Sequence, residues 1–426
     1  MSEAHTYPRR KIFILSSLAL LTAGVSFALR GAIIASVVQE LSPGSATLAG
    51  SLLGTAFLGF GITLFGASIL LDAIGMGRTL LASALSFIVG TGLAITASGD
   101  GAESMIRIGF LFSGLGWGFM EAAVNPLTAA LYPDDKTNRL NVVHAWWPAG
   151  IIIGMLVALA CGQLEVSWRW QFGAVLFPAL GCIALYLGTP FPRTERAALG
   201  VSYREMFAEI PKNPMFLVWW ACMLLTAAAE LAPNQWFDFA LTKSLGIRGA
   251  WIVIYVSAMM FVFRHFAGPI AHRVSNIVML WGSAVLSVFG LWLLPLADSP
   301  ITGLLAATVW GLGVCFLWPT MLANISERYP KGGELFIGLM GVAGALAIQY
   351  VLPALGSITD TTKHELAGSA AAFEALSPVA QAPILQAANE AAFHTLALAV
   401  ALLTIVFGII ALKERGTSES PSVRGN

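Results

Sequence analysis

The chain has 426 residues, of which 57% are hydrophobic and only 11% charged, and its mean hydropathy is +0.78. At about 20 apolar residues per membrane-crossing helix, this composition suffices for about twelve spans. It excludes a soluble enzyme, a disordered chain and a nucleic-acid binder, since soluble domains carry about 25% charged residues. The 23 Lys and Arg cancel the 23 Asp and Glu, so partners must be read from where charges sit. Cys161, Cys182, Cys222 and Cys315 each stand alone in an apolar run, with no CxxC, and read as small core residues rather than a disulfide frame or metal site.

Arg9, Arg10 and Lys11 precede an apolar run from Ile12 to Val38 that only Arg30 interrupts. The run is too long for a signal-peptide core and no clear cleavage site ends it, so it is read as a first span. Further spans are predicted at Thr47 to Leu71, Thr79 to Ala97, Met105 to Leu131, Leu140 to Leu164 and Trp170 to Leu187. A polar linker, Gly188 to Pro214, separates these from a second set: Met215 to Phe237, Ala250 to Ala267, Asn276 to Ala297, Ile301 to Ala323, Leu335 to Ile358 and Ala391 to Leu412. The expected organisation is therefore a terminus at 1–11, a six-helix bundle at 12–187, a linker at 188–214, a second bundle at 215–412 and a tail at 413–426. Between the last two spans, Thr359 to Glu390 is Ala-rich and is expected to form short interfacial helices.

Basic residues concentrate in loops that stay in the cytoplasm. With the N-terminus inside, sixteen Lys and Arg fall on the cytoplasmic side and four outside, which places both termini in the cytoplasm of a multi-pass inner (plasma) membrane protein. An internal repeat supports the division into halves. Gly114-Leu115-Gly116 precedes Tyr132-Pro133, and Gly311-Leu312-Gly313 precedes Tyr329-Pro330, each pair of motifs spaced by 197 residues. Both fall at the fourth span of a half and run the same way, so the halves are parallel repeats with a site expected between them.

The stretch Gly114 to Gly150, GLGWGFMEAAVNPLTAALYPDDKTNRLNVVHAWWPAG, resembles the fucose permease branch of the major facilitator superfamily. The resemblance rests on a Gly-rich fourth span, then Glu121, Ala122, Ala123, Asn125 and Pro126, then Arg139, Leu140 and Asn141 opening the fifth. Asp72, Gly75 and Arg78 are similar to the superfamily's loop mark between spans two and three, and Arg264, Gly268, Pro269 and Arg273 look like its second-half counterpart. The resemblance implies an all-α polytopic fold of 12 transmembrane helices in two pseudo-symmetric six-helix bundles, and proton-coupled transport of a sugar. The chain departs from the branch's fucose carriers where Arg30-Gly31 stands near a span-one carboxylate and Trp147 at a span-five Asn. A sugar or sugar-like small solute, rather than fucose itself, is what remains implied.

Charges inside a membrane cost several kcal/mol unless paired, neutralised or wetted. Glu121 lies ten residues from the inner end of span four and is the expected proton-coupling group, taking up and releasing a proton as the site opens to either side. Asn125, Asn141, Trp147, Trp318, Gln349 and Arg30 are the expected substrate-binding residues, and Trp318 holds the repeat position of Glu121. Arg30 in span one and Glu230 in span seven have near-equivalent places in the two halves, which suggests a gating pair; Arg30 could equally snorkel outward, and anchoring an anionic substrate is a third option ranked below these. Asp72 and Arg78 are expected to gate the inner face. His144 reads as a hydrogen-bonded structural residue.

These residues predict a symporter working by alternating access, a monomer in the lipid bilayer that binds a small-molecule solute and protons, with sodium left open and no nucleic acid, metal or cofactor. The alternative is an exporter or carrier of organic anions or drugs with Arg30 as the anchor. An enzyme is not expected: there is no HExxH, no clustered His and no pair of carboxylates on one helix face, and no Walker A motif supplies ATP.

Overall fold

The computed structural model describes residues 7–132, 139, 142–192, 203–245, 248–265, 274–329 and 333–418, among which all regular structure is helical. The first half comprises α1 (Arg9–Leu41), α2 (Ala46–Ile74), α3 (Met76–Thr96), α4 (Ala102–Leu131), α5 (Trp146–Gln163), α6 (Trp168–Gly173) and α7 (Leu176–Tyr186). After α8 (Tyr203–Lys212) in the linker, the second half comprises α9 (Met215–Leu245), α10 (Ala250–His265), α11 (Asn276–Leu293), α12 (Pro300–Cys315), α13 (Leu317–Arg328), α14 (Gly333–Ala367), α15 (Ala370–Ala375) and α16 (Pro378–Ser418).

Nine helices among the described residues are long and apolar enough to cross a membrane, and Ala250–Arg264 is a shorter tenth. Two further crossings have a physical reason for standing apart. α4 carries Glu121 and a glycine row that dilute its hydropathy, and the sixth crossing breaks into α6 and α7 at Ala174–Val175. The fold is thus the twelve-helix architecture of two six-helix bundles. The halves repeat their packing: α1 against α5 corresponds to α9 against α14, α2 against α4 to α10 against α12, and α3 against α7 to α11 against α16. The segment expected to form short interfacial helices contains one short helix, α15; the rest lengthens α14 to Ala367 and begins α16 at Pro378. Helix continues there because extending an existing helix adds one hydrogen bond per residue without a new nucleus, and the start of α16 is Ala-rich.

The bundles meet along three seams, α2 with α14, α5 with α10 and α1 with α9. At the end of the molecule holding the α1–α2 connection the α2–α14 seam is shut. A Cβ on Gly50 would lie 2.1 Å from the Leu352 carbonyl oxygen and one on Gly356 2.3 Å from that of Ala46, so only glycine lets these backbones touch. Asp360 of α14 accepts hydrogen bonds from the Thr47 amide (2.7 Å), the Thr47 hydroxyl (2.7 Å) and the Ala46 amide (3.2 Å). A carboxylate of one bundle therefore caps a helix N-terminus of the other, where the free amides and the helix dipole favour negative charge. Lys363 secures it, donating to the Gly44 carbonyl (2.9 Å) and to Asp360 (2.7 Å). At the opposite end Gly75, at φ 87°, makes the sharp turn from α2 to α3.

Valine at position 50 cannot fit the closed seam, so Gly50→Val should drive the protein toward a conformation in which that end is open. A single cysteine at Ser68, near the other end of the same seam, should then react several-fold more slowly with a hydrophilic thiol reagent in detergent. An unchanged rate would mean that closure of the two ends is not coupled.

A central cavity between the bundles

A cavity of about 60 Å³ lies where the bundles face each other, lined by Leu20, Phe60, Trp117, Glu121, His144 and Trp147 of the first half and Glu230, Leu231, Arg264 and Trp318 of the second. A second cavity, of about 200 Å³, is lined by Leu64, Ser68, Leu71, Ala122, Asn125, Pro126, Leu322, Ile337, Gly338 and Gly341 and shares Glu121 and Trp318 with the first. Ser68 and Leu71 lie toward the Gly75 turn and Gly338 near the start of α14, so the space extends from the centre toward the end opposite the Asp360 cap.

The wall on the first bundle is aromatic. Trp117 stacks on Phe60 (centroids 4.3 Å, planes 25° apart) and on Trp147 (6.1 Å, 22°), while Phe27 supports Trp147 from behind at 5.2 Å. Rings held this way present faces of fixed orientation. Glu121 and Asn125, one turn apart on α4, share a face. The Asn125 amide nitrogen lies 3.4 Å from Glu121 Oε1 and 3.5 Å from the Glu121 carbonyl oxygen. Asn125 Oδ1 is 2.6 Å from His144 Nε2, at the start of the Val142–Gln163 span. Pro126 has no N–H to give the carbonyl of Ala122, which lines the cavity one turn earlier.

On the second bundle, Arg264 Nη2 donates to Glu230 Oε1 at 3.0 Å and its Nε donates to the Cys315 carbonyl at 3.2 Å. The two side chains are 17% and 3% exposed, a nearly buried pair whose charges cancel. Glu121 has no cationic partner among the described residues. The cavity therefore contains one neutralised ion pair and one carboxylate whose contacts are an amide and open space.

The other expected residues fall as follows. Trp318 reaches the shared part of the two cavities, and Trp147 lines the inner one. Gln349 lies at the shut seam, its backbone against Gly54 and its side-chain Oε1 buried without a partner, and it lines neither cavity. Asn141 lies outside the described residues, as do Gly268, Pro269 and Arg273. Arg78 is exposed near the start of α3; the side chain of Asp72 is outside the description.

The expected Arg30–Glu230 contact is not made, and this corrects the pairing inferred from repeat positions. Glu230 is satisfied within its own bundle by Arg264. The α9 residue that meets α1 is Gln235, more than a turn beyond, whose Nε2 donates to the Phe27 carbonyl at 2.6 Å. Arg30 is buried, 1% exposed, and donates from Nη1 to Ser26 of its own helix at 3.0 Å; its Nε and Nη2 have no partner. Sequence reasoning read His144 as structural and Arg264 as part of a loop mark, and assigned neither of them nor Trp117 to the site. The rarity of charge in spans was a usable signal for Arg264, since only a few Arg and Lys lie within apolar runs. Nothing in the sequence signalled that His144 shares a hydrogen bond with Asn125, nineteen residues away.

The chain belongs to the Major Facilitator Superfamily, whose family model matches residues 12–349. Similar solved structures include a D-xylose-proton symporter (16% identity, 92% of this chain and 97% of that one, TM-score 0.70) and the nucleoside transporter NupG as its D323A mutant (12%, 93% and 99%, 0.71). A bacterial homologue of the human drug peptide transporters PepT1 and PepT2 is also similar (14%, 96% and 99%, 0.70). At these identities the likeness is one of fold. No curated protein matches the chain by sequence at a significant level. Family and fold define a membrane transporter that binds small molecules, not an enzyme.

Removing one member of a buried ion pair leaves a charge without compensation, at a cost of about 3–5 kcal/mol, whereas replacing both members by apolar groups is close to neutral. Arg264→Met should therefore lower the midpoint of thermal unfolding in detergent, and Arg264→Met with Glu230→Leu should recover most of the loss. Additive losses in the double variant would show that the two side chains act independently.

Proposed function

We propose that the protein is a proton-coupled secondary transporter, a symporter that carries a sugar or sugar-like, hydroxyl-rich solute by alternating access. The observation that carries this reading is Glu121, a carboxylate without a cationic partner among the described residues, in a cavity between two bundles shut at one end. Burial of a lone charge is costly when the cavity is dry and cheap when it is wet, so exchange of a proton at Glu121 follows from opening and closing. The aromatic wall of Trp117 and Trp147, with Trp318 opposite, suits the C–H faces of a sugar ring, and Asn125 and His144 offer hydrogen bonds to hydroxyls. The similar fold of a D-xylose-proton symporter is in keeping with it. The excess of Lys and Arg at the end holding the Gly75 turn supports a cytoplasmic placement of that end and both termini in a plasma membrane, with the cavity reaching inward. The protein acts as a monomer on this reading, with Asp72 and Arg78 among the groups that close the inner face.

One observation favours a second reading. The two unpartnered nitrogens of Arg30 are a buried, bidentate-capable donor set, which suits a carboxylate-bearing solute and a carrier of organic anions.

Glu121→Gln keeps the shape and hydrogen bonding of the protonated acid but cannot titrate. In proteoliposomes it should abolish accumulation driven by a pH gradient, by tenfold or more, while exchange of labelled solute across equal pH persists. Intact pH-driven accumulation would remove Glu121 from the mechanism. A loss of affinity confined to anionic solutes in Arg30→Gln would put the second reading first.

A further inference from the structure

The contacts around Asn125 define more than a polar wall. A carboxylate only accepts hydrogen bonds, so with Glu121 ionised the Asn125 NH2 must face Glu121 and its carbonyl oxygen must face His144. That orientation requires a proton on His144 Nε2, 2.6 Å away, and leaves Nδ1 as the bare, accepting nitrogen of the neutral ring. His144 lines the cavity beside Glu121, so its ring is among the groups a bound solute meets.

Protonating Glu121 reverses each constraint. The new O–H is best satisfied by an amide oxygen, at the short distance typical of O–H···O bonds, in place of a long 3.4 Å contact. A half-turn of the Asn125 amide supplies that oxygen and presents NH2 to His144 Nε2, which must then be bare, with the ring proton on Nδ1. We propose that Asn125 is a two-position switch that converts the protonation state of Glu121 into the tautomer of the cavity-lining His144 ring, its Nδ1 an acceptor when Glu121 is ionised and a donor when it is protonated.

The protons balance. Glu121 takes up one proton from the cavity, while the ring gives up the proton on Nε2 and gains one on Nδ1 by exchange with water, so it is neutral before and after. A space of about 60 Å³ lined by these polar groups is large enough for a water. The charged groups facing His144 across the cavity are Glu121 on α4, Glu230 on α9 and Arg264 on α10, and the last two neutralise each other. Glu121 is thus the group whose charge changes beside it.

The proposal rests on the proton-coupling reading of Glu121 and narrows its solute. A hydroxyl donates and accepts, so it would bind either form of His144. An oxygen with no proton of its own, such as a sugar ring oxygen or a carbonyl, accepts a bond only from the donor form. A solute presenting such an oxygen at His144 binds the proton-loaded protein preferentially, which is the thermodynamic requirement of symport.

Nitrogen-15 NMR of the full-length, histidine-labelled protein in lipid bilayers tests this, because bare and protonated ring nitrogens have well-separated shifts and His144→Gln assigns the signal among six histidines. The expected result is an Nε2–H tautomer at high pH that gives way to Nδ1–H as pH falls, with Asn125→Leu and Glu121→Gln each holding one tautomer throughout. A single tautomer at every pH in the parent protein, direct passage to the doubly protonated ring, or a switch that survives Asn125→Leu would overturn the proposal. If Asn125→Leu does not fold, the parent pH series decides alone. Loss of pH-driven accumulation in Glu121→Gln with no tautomer change in the parent would sink the switch and spare the coupling; the reverse pattern would spare the switch and sink the coupling.

Discussion

A charge within an apolar bundle must be matched by a partner or by an opening to water, and this requirement orders the structure. Five ion pairs lie each within a single bundle: Glu230 with Arg264 and Arg328 with Glu414 in the second, Glu40 with Arg169 in the first, and Arg107 with Glu103 and Lys363 with Asp360 along one helix each. Hydrogen bonds between bundles use a backbone group at one end in the bonds from the Thr47 amide to Asp360, from Lys363 to the Gly44 carbonyl and from Gln235 to the Phe27 carbonyl. Each bundle thereby keeps its ion pairs as a rigid body. The seams can separate without splitting charges from one another in a medium of low dielectric.

The same requirement explains why a repeated fold yields an unsymmetrical site. The two halves pack their helices in the same pattern, yet the positions related by the repeat, Glu121 and Trp318, are a carboxylate and an indole. Both reach the shared part of the two cavities. Had both been carboxylates, two like charges would face each other in a small space, and one would stay protonated at all times. An indole opposite a single carboxylate avoids that repulsion and contributes a face on which an apolar ring surface can rest.

Much of the fold was legible in the sequence because membrane spans announce themselves through composition alone. The apolar runs fell on helices from α1 through α16, and the 197-residue repeat reported a pseudo-symmetry visible in the packing. The pairing of side chains was legible to a lesser degree. Repeat arithmetic set Glu230 near the level of Arg30, but it ignores helix rotation and the choice of neighbour; Arg264, thirty-four residues on in the same bundle, takes the carboxylate instead. His144 illustrates a different limit. Its role depends on lying 2.6 Å from Asn125 across a helix–helix contact, and periodicity along one helix carries no information about the rotation of the next.

The α1–α9 crossing shows where this conformation is least satisfied. Arg30 Nε and Nη2 lack partners on α1, and Glu230 Oε2, Asn234 Oδ1 and Gln235 Oε1 lack partners on α9, while Trp147 Nε1 behind them is also unmatched. Buried polar groups left in this way each cost about 1–3 kcal/mol, more when charged. The shut α2–α14 seam works the other way, since the Asp360 cap and the glycine contacts are complete. One seam therefore favours the present arrangement and another opposes it. A balance of that kind brings two conformations within a few kcal/mol of each other, which is what a small solute needs if its binding is to decide between them.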